Sequence, residues 1–267
     1  MKLSEAVKLL CESGIENPKF DAKEIFMHFG KFTRLDLIGD VDSTSEEIAS
    51  AVRARAEHKP LQYILGEVGF FRETYKVNEN CLIPRADTEI LVEYAVKHLP
   101  RGAHFLDLCT GSGCVAISTL KNTENTTAVA VDISKAALST AEENAKLNGV
   151  FDRITLRAED VLVSPLADEC FAVLANPPYV SDTAYAGLMP EIYFEPKIAF
   201  VGKNNGLEFY ERLTELYKNV ISDDGFIAYE IGFDQADALI NIAKKHGMRA
   251  EIIKDYSDND RVCVLRK

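Results

Sequence analysis

From about residue 84 to the C-terminus, short apolar runs alternate with amphipathic helical segments, and this alternation most narrows the folds open to the chain. HFLDLC at 104–109, TAVAVDI at 127–133, ITLRAED at 154–160, FAVLANPP at 171–178 and FIAYEIG at 226–232 have the length and composition of buried strands. Between them lie CVAISTLK, SKAALSTAEENAKLNG, GLEFYERLTELYKNVI and DQADALINIAKKHG, which carry helical periodicity. Strands that are apolar on both faces need helices on both sides, so the pattern predicts a doubly wound, mostly parallel α/β sheet. The closing stretch EIIKDYSDNDRVCVLRK reads as two short strands around an Asp-Asn-Asp turn. It adds an antiparallel hairpin at one edge and brings the expected sheet to seven strands.

Residues 1–60 follow another rule. Leu3, Val7 and Leu10, then Phe20, Ile25, Phe26 and Phe29, recur at three- and four-residue spacing, which predicts helices with one apolar stripe each. Asn17-Pro18 separates them, Gly30 fits a helix stop, and Ser43-Thr44-Ser45 before Glu46 and Glu47 fits an N-cap. Residues 61–83, rich in β-branched and aromatic side chains, predict a β-hairpin that links the two parts. The expected organisation is a small helical domain at 1–60, a hairpin linker at 61–83 and a Rossmann-like α/β domain at 84–267.

Charge and cysteine content exclude some functions. The chain has 30 Lys and Arg against 42 Asp and Glu, a net charge of −12, so its surface repels phosphate backbones and nucleic acid is not an expected partner. The six cysteines show neither metal-ligand spacing nor a disulfide framework, which predicts no metal and reduced thiols in a cytoplasmic protein. Glu5, Lys8 and Glu12 interrupt the start where a signal peptide needs an apolar core, and no apolar run approaches the ~18 residues of a membrane span. With no coiled-coil seam, a monomer is expected.

Two motifs carry chemistry. After the first parallel strand come Cys109-Thr110-Gly111-Ser112-Gly113, and Asp132 ends the next strand about 20 residues on. Glycines let the backbone approach a ligand at the carboxyl edge of the sheet, and a carboxylate at that distance can hold ribose hydroxyls. A dinucleotide site fits this loop as well as any other nucleotide-type ligand. The second motif, Asn176-Pro177-Pro178-Tyr179, follows the fourth strand at the same edge. Two prolines stiffen the backbone and remove two donors, leaving carbonyls as rigid acceptors. With the Asn176 amide they suit a planar –NH2 group, whose hydrogens would go to the Asn176 side-chain oxygen and the Pro177 carbonyl, and Tyr179 can stack on its flat face. A hydride-transfer enzyme has no evident use for such an acceptor-rich clamp, whereas an N-methyltransferase has.

Asp-x-x-Thr-Gly-Ser-Gly, Asp132 and Asn-Pro-Pro-Tyr together resemble class I methyltransferases, and the whole chain resembles the release-factor glutamine methyltransferases, the PrmC/HemK family. The resemblance includes Gln62-Tyr63-Ile64-Leu65-Gly66, residues 82–89 (LIPRADTE), Glu195-Pro196, residues 206–210 (GLEFY), Glu230-Ile231-Gly232 and Asp260-Arg261. It implies methyl transfer from S-adenosylmethionine, yielding S-adenosylhomocysteine, to the N5 amide nitrogen of glutamine in the Gly-Gly-Gln segment of class I peptide-chain release factors. It also implies that residues from Cys109 to Gly113 meet the methionine end of the cofactor and that Asp132 takes the ribose. Asp160 and Val161 would flank the adenine, and Asn176, Pro177, Pro178 and Tyr179 would hold the glutamine, with Asn176 also contacting the cofactor. Arg85, Thr88 and Glu89 would form a lid or brace on the substrate side, and the N-terminal helices would grip the protein substrate. Two positions depart from the family pattern: Ala86 stands where a proline is usual, and Cys109 where a glycine is. The alternatives are an adenine N6-methyltransferase acting on DNA or RNA, disfavoured by the acidic surface, and a non-catalytic protein that binds S-adenosylmethionine or serves as a partner-binding scaffold. An NAD oxidoreductase is disfavoured because no acid/base residue accompanies the Asn-Pro-Pro-Tyr turn.

Overall fold

The computed structural model describes residues 1–166 and 169–267. The chain divides into two compact units, Met1–Glu67 with Met189–Phe194, and Val68–Leu188 with Glu195–Lys267.

The first unit contains α1 (Leu3–Glu12), α2 (Pro18–Gly30), α3 (Glu46–Ala56) and α4 (Leu61–Leu65) around a core of Leu10, Ile25, Phe26, Ile48 and Val52, all fully buried. Pro18 opens α2 at a position where a missing N–H costs nothing. Gly30 is its last residue, and it is Lys31 that adopts the left-handed conformation closing it, at φ 56°. The Ser45 hydroxyl caps α3 by accepting from the Ile48 N–H at 3.4 Å. Phe20 does not join the core: it is 60% exposed, because Asp21, Ala22, Ile25 and Phe26 form the buried stripe of α2. Asp21 is buried there against Arg55, which also reaches Glu191 on the returning segment.

The hairpin expected over 61–83 begins later and is shorter. Residues 61–65 are the helix α4, and only β1 (Glu67–Phe70) and β2 (Glu73–Lys76) are strands. Pro60 at φ −52° leads into the helix, burial of Leu61 and Tyr63 overrides their strand propensity, and Gly66 at φ 73° stops it.

The second unit continues with α5 (Glu89–His98), β3 (His104–Leu108), α6 (Cys114–Lys121), β4 (Thr127–Asp132), α7 (Lys135–Leu147), β5 (Ile154–Ala158), β6 (Cys170–Ala175) and α8 (Asp182–Tyr185). It ends with α9 (Glu208–Tyr217), β7 (Ile221–Glu230), α10 (Ala236–Lys245), β8 (Arg249–Lys254) and β9 (Asp260–Arg266). The seven strands follow the order β5-β4-β3-β6-β7-β9-β8, parallel from β5 to β7, with β9 antiparallel to both neighbours. Each face carries its own core, with Phe105 in one and Leu106 in the other, so β3 is buried on both sides. From β3 the chain steps outward to β4 and β5, then crosses to β6 on the other flank. That places a switch point between β3 and β6, where a crevice opens at the carboxyl edge. Leu108 pairs with Ala175, so the glycine loop and the Asn-Pro-Pro-Tyr turn leave adjacent strands at the same level. β6 stops at Ala175, and neither Pro177 nor Pro178 has an N–H to extend the ladder.

No described helix is long and apolar enough to cross a membrane. Among the described residues no group of His, Cys, Asp and Glu side chains is placed to hold a metal ion. All six cysteines are free thiols.

Candidate active site

A cavity of about 180 Å³ opens at the switch point. Of the residues given a binding or catalytic role from the sequence, Cys109, Gly111, Asp132, Asp160, Val161, Asn176 and Pro178 line it. Pro196, Ile198 and Phe209 contribute apolar surface that sequence reasoning assigned no role. Thr110, Ser112 and Gly113 do not face the cavity but shape its glycine loop.

That loop is held from below by Asp107, an acid in the middle of an apolar strand. Its carboxylate accepts from the Thr110 hydroxyl at 2.5 Å and from the Ala116 N–H at 3.1 Å, so one buried group pins the loop to the first turn of α6. Burial pushes this carboxyl up to about 7. Gly113 begins α6 at φ 82°, and a Cβ there would come within 2.8 Å of the Ile117 Cδ1 and 3.2 Å of the Ala141 Cβ. Gly111, at φ 54°, has open space where a Cβ would stand. Cys109 is itself left-handed, at φ 62°, which explains in backbone terms why glycine suits this position. Its thiol is held well above the ordinary range, first by burial and then by the Asp132 charge, so it stays protonated and is a poor nucleophile.

Asp132 ends β4 with both carboxylate oxygens engaged: one accepts from the Gly111 N–H and the other from the Ser134 N–H, each at 2.9 Å. Burial raises its pKa, and these backbone donors oppose the rise. The carboxylate is therefore fixed in direction on the cavity wall. Asp160 is oriented in a similar way by the Leu162 N–H at 2.9 Å.

On the opposite wall, Asn176 donates from Nδ2 to the buried Thr88 hydroxyl at 3.2 Å. Its Oδ1 and the Pro177 carbonyl accept no hydrogen bond among the described residues. Pro178 and Tyr179 are packed from behind by glycines: a Cβ at Gly202 would stand 2.4 Å from the Pro178 oxygen, and one at Gly206 only 1.8 Å from the Tyr179 oxygen. Gln235 donates to that same Tyr179 oxygen at 3.2 Å, and the Tyr179 hydroxyl donates to Glu230 at 3.2 Å. Tyr179 and Pro177 are not themselves on the cavity wall.

Arg85, Thr88 and Glu89 also lie off the wall. Arg85 pairs with Glu195, whose other oxygen accepts from the Ile83 N–H at 2.8 Å, so the two ends of this segment are tied together. Glu89 accepts from the Phe71 N–H at 2.8 Å and faces the hairpin. Thr88 holds Asn176. The roles of Asp107, Glu195, Gly202, Gly206, Gln235 and Glu230 were not anticipated. An acid inside an otherwise apolar strand marks Asp107 and Glu230 in the sequence, but their partners are set by tertiary contact alone.

A seven-stranded sheet with this strand order, a glycine loop after its central strand and an acceptor turn on the neighbouring one define a class I methyltransferase domain. A family model described as "Methyltransferase small domain" matches residues 86–192, and one described as "PrmC N-terminal domain" matches residues 2–66. The release factor glutamine methyltransferase of Thermodesulfovibrio yellowstonii is 38% identical over 92% of this chain and 92% of its own length. That of Fusobacterium nucleatum is 34% identical over 99% of this chain and 77% of its own. Among solved structures, the ribosomal protein L11 methylase of Lactobacillus delbrueckii subsp. bulgaricus superposes with a TM-score of 0.51 at 19% identity, over 72% of this chain and 83% of that one, a likeness of fold. The chain belongs to the release factor glutamine methyltransferase family.

Proposed function

We propose that this chain methylates the N5 amide nitrogen of glutamine in the Gly-Gly-Gln segment of class I peptide-chain release factors, using S-adenosylmethionine. The observation that carries the reading is the Asn176 amide: Thr88 takes its Nδ2, which leaves Oδ1 as an acceptor beside the free Pro177 carbonyl. The cavity suits the cofactor in its donor set, with two oriented carboxylates, Asp132 and Asp160, a glycine with open space beside it, and apolar surface between. Asp132 would hold the ribose, the Cys109–Gly113 loop the methionine end, and Asp160 with Val161 the adenine.

When bound, S-adenosylmethionine supplies a methyl group already activated on a sulfonium. The task left to the chain is to orient a weak nucleophile, since the amide lone pair is delocalised. Asn176 Oδ1 and the Pro177 carbonyl accept the two N–H bonds, hold the nitrogen's direction and stabilise the positive charge that develops there. Pro177 and Pro178 keep the acceptors rigid, and Tyr179, pinned through its hydroxyl, offers a ring to the flat amide. No side chain is assigned as a general base. Arg85 braces the wall segment through Glu195, and the domain at 1–60 supplies the surface for the protein substrate. The −12 charge makes nucleic acid the less suitable acceptor.

Intact-mass analysis with S-adenosylmethionine and purified release factor tests this, with a Gly-Gly-Ala version of the substrate alongside. One added methyl group on the Gly-Gly-Gln protein alone is the expected outcome. Retained S-adenosylhomocysteine binding without transfer would redirect the search to another –NH2 acceptor, adenine first. Asn176→Ala is expected to lower kcat by roughly 100-fold while cofactor binding survives. Full turnover in that variant would remove Asn176 from the clamp.

A further inference from the structure

Residues 206–210 (GLEFY) and Glu230-Ile231-Gly232 have no task in the methyl-transfer reading, yet both stretches converge on one side chain, that of Gln235. Gln235 closes the turn after β7, just before α10. Its backbone N–H donates to the Gly232 carbonyl at 3.0 Å, and its side-chain Oε1 accepts the Gly232 N–H at 2.9 Å. With Oε1 spent on Gly232, Nε2 is left to donate, and it does so to the Tyr179 carbonyl at 3.2 Å. Among the described residues no other donor reaches that carbonyl. Two glycines leave room for the amide. A Cβ at Gly206 would stand 3.0 Å from Nε2 and overlap the Tyr179 oxygen, and one at Gly232 would stand 3.1 Å from Oε1. The fully buried Tyr210 has its hydroxyl 3.4 Å from Oε1 and donates to the Glu230 carbonyl at 2.9 Å. The Glu230 carboxylate in turn accepts the Tyr179 hydroxyl at 3.2 Å. The end of β7 and the turn after it thus hold Tyr179 at two points, its hydroxyl through Glu230 and its carbonyl through Gln235.

We propose that Gln235 is a positioning residue for methyl transfer: by holding the Tyr179 carbonyl it fixes the plane of that peptide, and with it the ring offered to the substrate amide. This rests on the methyl-transfer reading above. Pro177 and Pro178 have no N–H through which neighbours could hold the Asn176–Tyr179 turn, so its carbonyls are the groups left for that purpose. The Pro177 carbonyl is reserved for the substrate, and the Tyr179 carbonyl is the one tied down. The hydroxyl bond to Glu230 alone leaves the ring free to swing about a single anchor, whereas two anchors at opposite ends of the residue define its direction. Without the Gln235 donor the Tyr179 peptide turns and the ring leaves the face of the amide. The nitrogen then loses its alignment with the methyl group, which costs orientation and not affinity.

The test is Gln235→Glu in the full chain, run beside wild type on purified release factor. Glutamate keeps an oxygen for the Gly232 N–H, so the turn is retained, but it meets the Tyr179 carbonyl with a second acceptor in place of a donor. The expected result is a kcat lower by roughly 10- to 100-fold, with KM for the release factor and S-adenosylhomocysteine affinity little changed. A double-mutant cycle with Tyr179→Leu separates positioning from a general loosening of the structure. Because Gln235 acts through the Tyr179 ring, Gln235→Glu should lower kcat by less than about 3-fold once that ring is gone. Wild-type kcat in Gln235→Glu, a loss carried by KM or cofactor affinity, or losses that multiply in the double variant overturn the proposal while the methyl-transfer reading stands. A wild type that binds S-adenosylhomocysteine but leaves release factor unmodified overturns that reading and this proposal with it.

Discussion

Asp107 has a titration that stability measurements can read. Burial holds its folded-state pKa near 7 against an ordinary 3.8. Between about pH 4 and 7 the folded chain therefore keeps a proton that the unfolded chain has lost. This residue's contribution to stability is fully present below the lower value and is lost as pH rises through the upper one. For a fully buried carboxyl the effect is on the order of 4 kcal/mol. Asn at this position keeps an oxygen to accept from Thr110 and Ala116 and does not titrate. Asp107→Asn should therefore gain in Tm relative to wild type as pH rises from about 5 to 8. Glu230 titrates in the same range but is common to both proteins and drops out of the difference. A difference that stays flat with pH would mean that Asp107 titrates as an ordinary surface carboxylate.

Among elements, Asn144 on α7 joins three of them. Its Nδ2 donates to the Lys76 carbonyl at 3.0 Å and to the Ser112 carbonyl at 2.9 Å, and its Oδ1 accepts from the Lys76 N–H at 2.6 Å. One fully buried side chain thus ties the hairpin strand β2 to the glycine loop. Asn144→Ala removes all three bonds and should lower stability by roughly 2–3 kcal/mol in urea unfolding. It should also weaken S-adenosylhomocysteine binding, because the loop loses its anchor at Ser112. Lost stability with unchanged affinity would show that the loop keeps its shape without the hairpin. None of this bracing is readable along the sequence. What was readable is periodic or local: apolar runs for β3, β4 and β6, glycines at the β3 turn, prolines that end β6. What was not readable depends on a partner far away. Residues 61–65 carry strand-forming side chains yet coil into α4 because Leu61 and Tyr63 find burial there, and Phe20 sits in the helical pattern yet faces solvent. The motif residues Asn176 and Asp132 were legible at the cavity wall, whereas Thr88 as the holder of Asn176 was not.

At the scale of the whole molecule, the segment Met189–Phe194 belongs to the same unit as the N-terminal helices although it lies more than a hundred residues downstream. Its tie is ionic. Arg55, with its side chain 9% exposed, donates to Asp21 at 2.7 Å on α2 and to Glu191 at 3.1 Å on the returning segment. A cation buried between two carboxylates gives little net stability over a hydrophobic replacement of all three, but removing the cation alone leaves buried charge uncompensated. Arg55→Met should thus destabilise this unit by about 3–5 kcal/mol, and Asp21→Asn added to it should recover part of the loss. The location of the effect is more telling than its size. Hydrogen exchange should show faster opening of the α2 and α3 amides, whose packing meets at this ion cluster. The amides of β3, β4 and β6 have their own two cores in the other unit and should keep wild-type protection. Equal loss of protection in the sheet would mean that the two units unfold as one, and the division of the chain would then describe its geometry but not its cooperativity.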